Sequence, residues 1–207
     1  MLCNIIIEGL IYGIMVLGVF MSFRVLNFCD MTVDGAFPMG ACILAACLSI
    51  GVNPVIALCL VFLGGLLAGL CTTVIYTKLK IPDLLSGILV MTMLYSINLR
   101  IMGGKANISF LKIDTPFSLI RTFCENHFPG ISSEWGICFF LIIFIVILKT
   151  LMDLFYHTDL GLTMGALGAN QQMIISQGVN PQIVRGIGIC VGDGLAALSG
   201  ALAAMYG

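Results

Sequence analysis

Three aspartates stand among apolar residues, where a carboxylate could bind a cation or carry a proton. Asp30 and Asp34 are close together in the stretch Arg24–Pro38, which lies between two strongly apolar runs. Asp193 lies inside the last apolar run. A carboxylate in apolar surroundings is costly and is usually paired or directed towards a water-filled path. These residues are therefore candidates for an ion or proton site, although a locally satisfied Asp193 explains the sequence equally well.

Catalytic chemistry has no candidate residues within the apolar runs. His127 and His157 lie in polar loops and have no nucleophile close in sequence, whereas catalysis inside a membrane needs a nucleophile and a base within helices. The sequence contains no G-x-S-x-G, H-E-x-x-H or G-x-x-x-x-G-K motif. We therefore predict a protein that is not an enzyme and binds no cofactor itself. Any energy must come from an ion gradient or from another subunit.

The composition places the chain in a membrane. Of its 207 residues, 60% are hydrophobic and 9% are charged, and the mean hydropathy is +1.13. Soluble domains contain about 25% charged residues, and a soluble fold of this size could not bury so many apolar side chains. A soluble enzyme, a disordered chain and, at a net charge of −1, a nucleic-acid-binding protein are excluded. The nine cysteines form no C-x-x-C pair, so no metal site is expected.

Continuous apolar runs of helix length predict six membrane-spanning helices. A helix needs about 20 apolar residues to cross the hydrocarbon region. The uncharged stretch 35–77 is long enough for two helices, with a turn at Gly51-Val52-Asn53-Pro54. We therefore predict an all-α, polytopic membrane protein with a single transmembrane domain over residues 1–207. The other four predicted spans are Ile5–Phe23, Leu84–Leu99, Trp135–Met152 and Ile183–Tyr206.

Two polar segments separate the later spans and determine the predicted orientation. We expect residues 100–134 to form an extracytoplasmic loop and residues 153–182 to be cytoplasmic. This assignment places five basic residues inside and four outside, so the positive-inside rule supports it only slightly. Lys78 and Lys80 crowd a short inside loop, whereas the outside charges are spread over a long one. We therefore expect the N-terminus to be outside.

The stretch Arg24–Pro38 predicts an unusual element between the first two spans. It places Asn27, Asp30 and Asp34 among apolar residues. Polar backbone at membrane depth persists only where protein or a water-filled cavity surrounds it. One interpretation is therefore a broken, re-entrant or gating element beside a substrate path. The other is an ordinary cytoplasmic loop in which Asp34 caps the following helix. The residues alone leave both interpretations open.

Residues 158–182 predict a short surface helix between two turns. Thr163 is the expected N-cap, and Gly178 suits the left-handed position after the helix. Asn180-Pro181 then begins the last span as N-cap and first helical residue. The helix, about residues 163–177, is amphipathic and contains no lysine or arginine. Docking into a groove of a partner protein is therefore favoured over simple contact with lipid headgroups.

Small residues recur every four positions in the last span. Gly188, Gly192 and Gly200 belong to this row, which permits another helix backbone to approach closely. The pattern predicts tight helix packing and says little about function. Asp193 adjoins the row and lies two turns from Arg185, so we expect it near the cytoplasmic boundary.

Several stretches resemble the permease subunits of ABC-type importers of the branched-chain amino-acid class. Within that class, the tryptophan/tyrosine-type amino-acid permeases are most similar. The similarity extends over nearly the whole chain, and the second of the four stretches is the most specific. The stretches are RVLNFCDMTVDGAFPMG at Arg24–Gly40, LLSGILVMTMLYSINLRIMGGKANI at Leu84–Ile108, GLTMGALGANQQMIISQGVN at Gly161–Asn180, and GLAALSGALAAMYG at Gly194–Gly207.

The resemblance implies a transmembrane subunit of an ATP-driven importer in the cell membrane. Such a subunit moves an amino acid or a similar small organic solute across the lipid bilayer by alternating access. It pairs with a second permease subunit and receives its solute from an extracytoplasmic solute-binding protein. Cytoplasmic ATP-binding subunits use the ATP.

The resemblance also assigns roles to residues. The segment matching Gly161–Gly178 implies a coupling helix that docks on the ATP-binding subunit, and its candidate contacts are Gly168, Ala169, Asn170 and Gly178. The stretch Arg24–Gly40 resembles the broken-helix element of the family near the translocation path. We take as candidate pathway residues Asn27, Asp30, Asp34, Asn98 and Asp193.

Two features depart from the pattern of the family. Thr163–Leu167 is neutral, where relatives often have a basic residue. Relatives also continue for further spans, so we expect this chain to be incomplete at its C-terminus.

An ion-gradient-driven secondary transporter is the alternative function. It would use Asp193 and the Asp30/Asp34 pair as ion sites, and uptake would then depend on ionophores rather than on ATP. A non-transporting scaffold or a membrane-embedded enzyme is a weaker alternative, because the spans contain no nucleophile–base pair.

Overall fold

The computed structural model describes residues 2–103 and 133–206. All regular secondary structure in these ranges is helical, which confirms the predicted all-α class. A π-helix over Phe20–Val25 continues the first helix. The predicted extracytoplasmic loop at 100–134 lies outside the described residues except at its two ends. The α-helices are α1 (Leu2–Val19), α2 (Val33–Ser49), α3 (Pro54–Leu79), α4 (Asp83–Ile101), α5 (Ser133–Tyr156), α6 (Asp159–Ala169), α7 (Gln171–Ser176) and α8 (Pro181–Tyr206).

Each predicted span corresponds to an apolar helix. Five helices in the described ranges are long and apolar enough to cross a membrane, and these are the first crossing Cys3–Val25, α3, α4, α5 and α8. α2 has 17 residues, a length of about 26 Å, and is the short member of the set. It is short because the chain before it runs as an irregular segment instead of a helix.

The turn between α2 and α3 forms where its residues predict it. Gly51 adopts a left-handed conformation with φ +81°, which costs glycine little because it has no Cβ. The side chain of Asn53 then accepts a hydrogen bond from the Val55 N–H at 3.2 Å, and Pro54 begins α3. The predicted Gly-Val-Asn-Pro turn is confirmed.

α8 lies at the centre of the bundle and packs most extensively against α3, α2 and α1. Backbones approach closely along its small-residue row: a side chain at Gly200 would collide with the Phe37 carbonyl, and one at Gly192 would lie 2.8 Å from the Ser22 hydroxyl. The buried Ser199 hydroxyl also donates a hydrogen bond to the Ile11 carbonyl at 2.7 Å. α8 is therefore the element against which the neighbouring spans are positioned.

The predicted single surface helix over residues 163–177 is wrong in its bounds. The structure has two helices, α6 and α7, separated by Asn170 in an extended conformation. The Asn170 side chain accepts hydrogen bonds from the backbone N–H groups of Gln172 and Met173 at 3.0 and 3.4 Å. An asparagine that caps in this way begins a new helix and ends the preceding one.

Thr163 is also not the N-cap. α6 begins four residues earlier, after Thr158, whose side chain accepts a hydrogen bond from the Gly161 N–H at 3.4 Å. Thr163 lies inside α6, and its hydroxyl donates to the Leu160 carbonyl. The other end of the segment is as predicted: Gly178 has φ +79°, and Asn180 caps α8 by accepting from the Gln182 N–H at 3.0 Å.

Candidate functional site

The chain between the π-helix and α2, residues 26–32, is here named the linker. It contains no helix, and Asn27 bends it with a φ of +51°. Leu26 and Phe28 are nonetheless fully buried. The Phe28 N–H donates a hydrogen bond back to the Ser22 carbonyl at 3.0 Å, which ties the linker to the π-helix.

Three elements of the bundle hold the linker. Leu26 packs against Gly188 of α8, and Phe28 meets the edge of Tyr76 of α3 with ring centroids 5.2 Å apart. A Cβ on Gly87 of α4 would lie 2.7 Å from the Met31 nitrogen. The linker therefore runs inside the protein, which supports the broken-element interpretation over an ordinary exposed loop.

Asp34 does not cap α2. The N-cap position is occupied by Thr32, whose side chain makes no capping hydrogen bond, and Asp34 lies exposed in the first turn. Thr32 faces inward instead, because its hydroxyl hydrogen-bonds the Thr72 hydroxyl of α3 at 2.7 Å. The start of α2 is therefore fixed by a buried contact between two helices.

Asp30 is turned into the bundle from the linker. One carboxylate oxygen accepts a hydrogen bond from the Thr32 N–H at 2.9 Å, and the buried Oδ2 has no partner among the described residues. Burial raises the pKa of Asp30 above its usual value, although the hydrogen bonds of Thr32 and the nearby Ser22 hydroxyl act in the opposite direction. Asp30 is thus held in place through one oxygen and left unsatisfied at the other.

Asp193 of α8 is completely buried. Neither of its carboxylate oxygens has a hydrogen-bond partner in the described part of the chain, and it interacts electrostatically with Asp30. It follows Pro181 by 12 residues, about 18 Å along a helix of about 39 Å. It therefore lies more than three turns into α8, and its expected position near the cytoplasmic boundary stays a prediction.

Arg185 does not neutralise Asp193. Its guanidinium donates a hydrogen bond to the Tyr76 hydroxyl and lies 5.4 Å from the centre of that ring. The two residues are eight positions apart on one helix, which separates them by about 12 Å along the axis. Arg185 instead packs on Tyr76, which meets Phe28 edge to face, and so belongs to the packing around the linker.

The remaining candidate pathway residues are placed elsewhere. Asn98 is buried, with its Oδ1 unpartnered in the described ranges, but it lies 15 residues beyond Asp83, about 22 Å along α4. Asp83 marks the linker end of α4, because its carboxylate accepts a hydrogen bond from the Cys29 N–H at 3.5 Å. Asn27 and Asp34 are exposed. Of the five predicted pathway residues, the structure brings together Asp30 and Asp193.

Sequence reasoning missed the hydroxyl groups near these acids. The Ser22 hydroxyl is buried without a partner among the described residues, and Thr32 and Thr72 bond each other nearby. The signal was weak because single serines and threonines are common in spans. The π-helix that carries Ser22 also has no sequence pattern of its own.

The segment Asp159–Ser176, comprising α6 and α7, is here named the docking segment. Its Gly168 lies against the Val25 carbonyl at the end of the π-helix, so closely that a side chain would collide with it. Ala169, Asn170 and Gly178 are exposed. The structure therefore turns one predicted coupling residue inward onto the end of the π-helix and leaves the other three exposed.

Two apolar side chains of α7 are exposed, one on each side of the buried Ile174. Met173 and Ile175 are each 52% exposed, whereas Ile174 is buried and anchors the helix. Among the described residues, no group of three or more histidine, cysteine or acidic side chains could hold a metal ion. This end of the protein therefore exposes apolar side chains beside the polar residues of α7.

A central small-residue helix, a broken element inside the bundle and an exposed helical segment at one end are typical of the membrane subunit of a transport system. The sequence matches the family described as branched-chain amino acid transport system / permease component over residues 1–207. The chain belongs to this family. It is therefore a multi-pass membrane protein, as predicted, and the family gives no support to the ion-gradient alternative.

Two curated relatives were compared with the chain. It is 42% identical over 203 residues to the tyrosine transport system permease protein of Clostridioides difficile (strain R20291), a match covering 98% of this chain and 64% of the relative. It is 32% identical over 197 residues to an uncharacterized protein of Rickettsia prowazekii (strain Madrid E), covering 95% and 65%. The chain thus spans just under two thirds of the length of these relatives. No solved structure matches it.

Proposed function

We propose that the chain serves in the transmembrane subunit of an ATP-driven ABC importer. The docking segment carries this proposal, because it has an exposed outer face at Met173 and Ile175 and an inner contact from Gly168 to the end of the π-helix. A cytoplasmic ATP-binding subunit would bind the outer face and use the ATP. The permease chain itself would contribute the contact between Gly168 and Val25, through which motion of the docking segment reaches the spans.

Motion of the docking segment would reach the linker directly. Gly168 contacts the carbonyl of Val25, and Leu26 is the first residue of the linker. Leu26 and Phe28 are packed against α8 and α3, so the linker cannot move without displacing those helices. Closure of two ATP-binding subunits would therefore shift the spans and open the pathway alternately to each side.

We propose tyrosine as the first solute to test, because the 42% identical relative is named for tyrosine transport. An extracytoplasmic solute-binding protein would deliver it, and a second permease subunit would complete the pathway. The family match supports an amino acid or similar small organic solute as the class.

Co-purification of the ATP-binding subunit tests the proposed docking. The variant Met173→Asp places a charge on the exposed face of α7, and the protein should still insert while losing the ATP-binding subunit. Gln182→Asp is the matched control: it adds the same charge to an exposed position just outside the docking segment, at a helix N-terminus that tolerates an acid. Equal recovery of the ATP-binding subunit with both variants would contradict the proposal.

A further inference from the structure

Two acids and a hydroxyl at the contact of the linker, the π-helix and α8 have buried oxygens that are unsatisfied in the described ranges. They are both carboxylate oxygens of Asp193, Oδ2 of Asp30 and the hydroxyl of Ser22. Asp193 and Ser22 are 0% and 1% exposed. The three groups belong together, because Asp30 acts electrostatically on Asp193 and the position of a Cβ on Gly192, the neighbour of Asp193, is 2.8 Å from the Ser22 hydroxyl.

The elements packed around Asp193 carry Arg24 on the π-helix and Lys78 on α3, but both side chains are exposed and neither is among the groups that act on Asp193. The linker contributes Asp30, and α8 itself contributes Cys190 as the other titratable group that interacts with Asp193. The π-helix offers Ser22, and α3 offers hydroxyl groups. Arg185, the cation on α8, is engaged by Tyr76. Two ionised carboxylates would therefore repel each other in a medium of low dielectric constant.

The backbone of α8 at Asp193 packs closely against two neighbouring helices. A Cβ on Gly65 of α3 would lie 2.6 Å from the Asp193 carbonyl oxygen, and one on Gly18 of α1 would collide with the Gly192 carbonyl. A proton needs no volume, whereas a metal cation needs several oxygens at its coordination distance. Among the described residues, Asp193 belongs to no group of three or more histidine, cysteine or acidic side chains that could hold a metal ion, which favours a proton.

We propose that Asp30 and Asp193 form a proton-binding site in which Asp193 carries one proton at neutral pH and Asp30 remains ionised. Asp193 is the protonated residue of the pair because no N–H group in the described ranges donates a hydrogen bond to it. The Thr32 N–H, in contrast, donates a hydrogen bond to Asp30 and stabilises a carboxylate there. The proton removes the repulsion that would push the linker away from α8. The site follows from the buried, unpartnered oxygens and their mutual proximity and does not rest on the proposed transport function.

Infrared spectroscopy of the purified protein tests this proposal without any partner subunit or substrate. A protonated carboxylic acid has a C=O stretching band that a carboxylate lacks, and labelling aspartate with ¹³C identifies the band as aspartate. We expect the band at neutral pH in the wild type and its loss in Asp193→Asn. Asp34→Asn is the control, because Asp34 is exposed and its replacement should leave the band unchanged.

Two results would overturn the proposal. The first is the absence of a protonated-aspartate band at neutral pH when the spectrum of the labelled wild type is subtracted from that of the unlabelled wild type. This measurement uses no variant, so it does not depend on whether a variant folds. The second is a protonated-aspartate band that persists in a folded Asp193→Asn variant. Stabilisation of the wild type by sodium ions together with absence of the band would instead identify a metal cation site.

Discussion

Replacing Gly168 with alanine should loosen the contact between the docking segment and the linker. The new Cβ would collide with the Val25 carbonyl oxygen, and it would lie 3.1 Å from the carbonyl carbon and 3.6 Å from the Leu26 carbonyl carbon. These are backbone atoms, so α6 must move away by on the order of 1 Å to restore normal contact distances. Overpacking of this kind costs about 1–3 kcal/mol, which exceeds the gain of up to about 1 kcal/mol from replacing glycine in a helix.

Gly165→Ala is the matched control for this change. Gly165 lies one turn earlier on the same helix, and a Cβ there would meet nothing within 4 Å. The control should be as stable as the wild type or more stable by up to about 1 kcal/mol. The free energy of unfolding, measured by denaturant titration in detergent, should therefore be lower for Gly168→Ala than for Gly165→Ala.

The functional assay uses the complex reconstituted with its ATP-binding subunits in liposomes. We expect Gly168→Ala to hydrolyse ATP while transporting less solute per ATP, because α6 no longer presses on Val25. Gly165→Ala should transport normally. If both variants have the same stability and the same ratio of uptake to hydrolysis, the contact at Gly168 transmits nothing and the reasoning fails.

Three further predictions concern single side chains. Asn170→Ala should destabilise α7 by about 1 kcal/mol, seen as faster amide hydrogen exchange there, because its side chain caps that helix; unchanged exchange would contradict this. Ser199→Ala should lower the unfolding free energy by about 1 kcal/mol, since it leaves the buried Ile11 carbonyl without the hydroxyl, whereas an unaltered value would show that contact to be dispensable. Burial raises the pKa of Asp30 from its ordinary value of 3.8, so between these two pKa values the folded state binds more protons than the unfolded state. Asp30 therefore contributes its full stabilisation below pH 3.8, and this contribution is lost as the pH rises through the raised pKa. Asp30→Asn should flatten the melting temperature over this range, and an identical pH profile in the variant would refute the assignment.

The spans were predictable because their signal is continuous and long. The charge-free stretch 35–77 divides at Gly51-Val52-Asn53-Pro54, as the left-handed glycine and the capping asparagine require. Gly178 and Asn180 ended and began helices as expected for the same reason. Turns and helix caps can be predicted from a sequence because their conformations depend mainly on residues that are neighbours in the chain.

The site was less predictable because it depends on contacts between distant residues. Asp30 and Asp193 are separated by most of the chain, and only the packing of the linker against α8 brings them together. The break at Asn170 was missed because its polar side chain fits either the surface of one continuous helix or the cap of a second. The π-helix likewise follows from packing that no local pattern encodes.

The central claim is that the docking segment is moved by a separate ATP-using subunit. Uptake of radiolabelled tyrosine should be measured in cells that express the protein from its natural locus, with and without the companion ATP-binding subunit. The account predicts that uptake is lost without that subunit and returns when it is resupplied. Sustained uptake in its absence, abolished by an ionophore, would contradict the account.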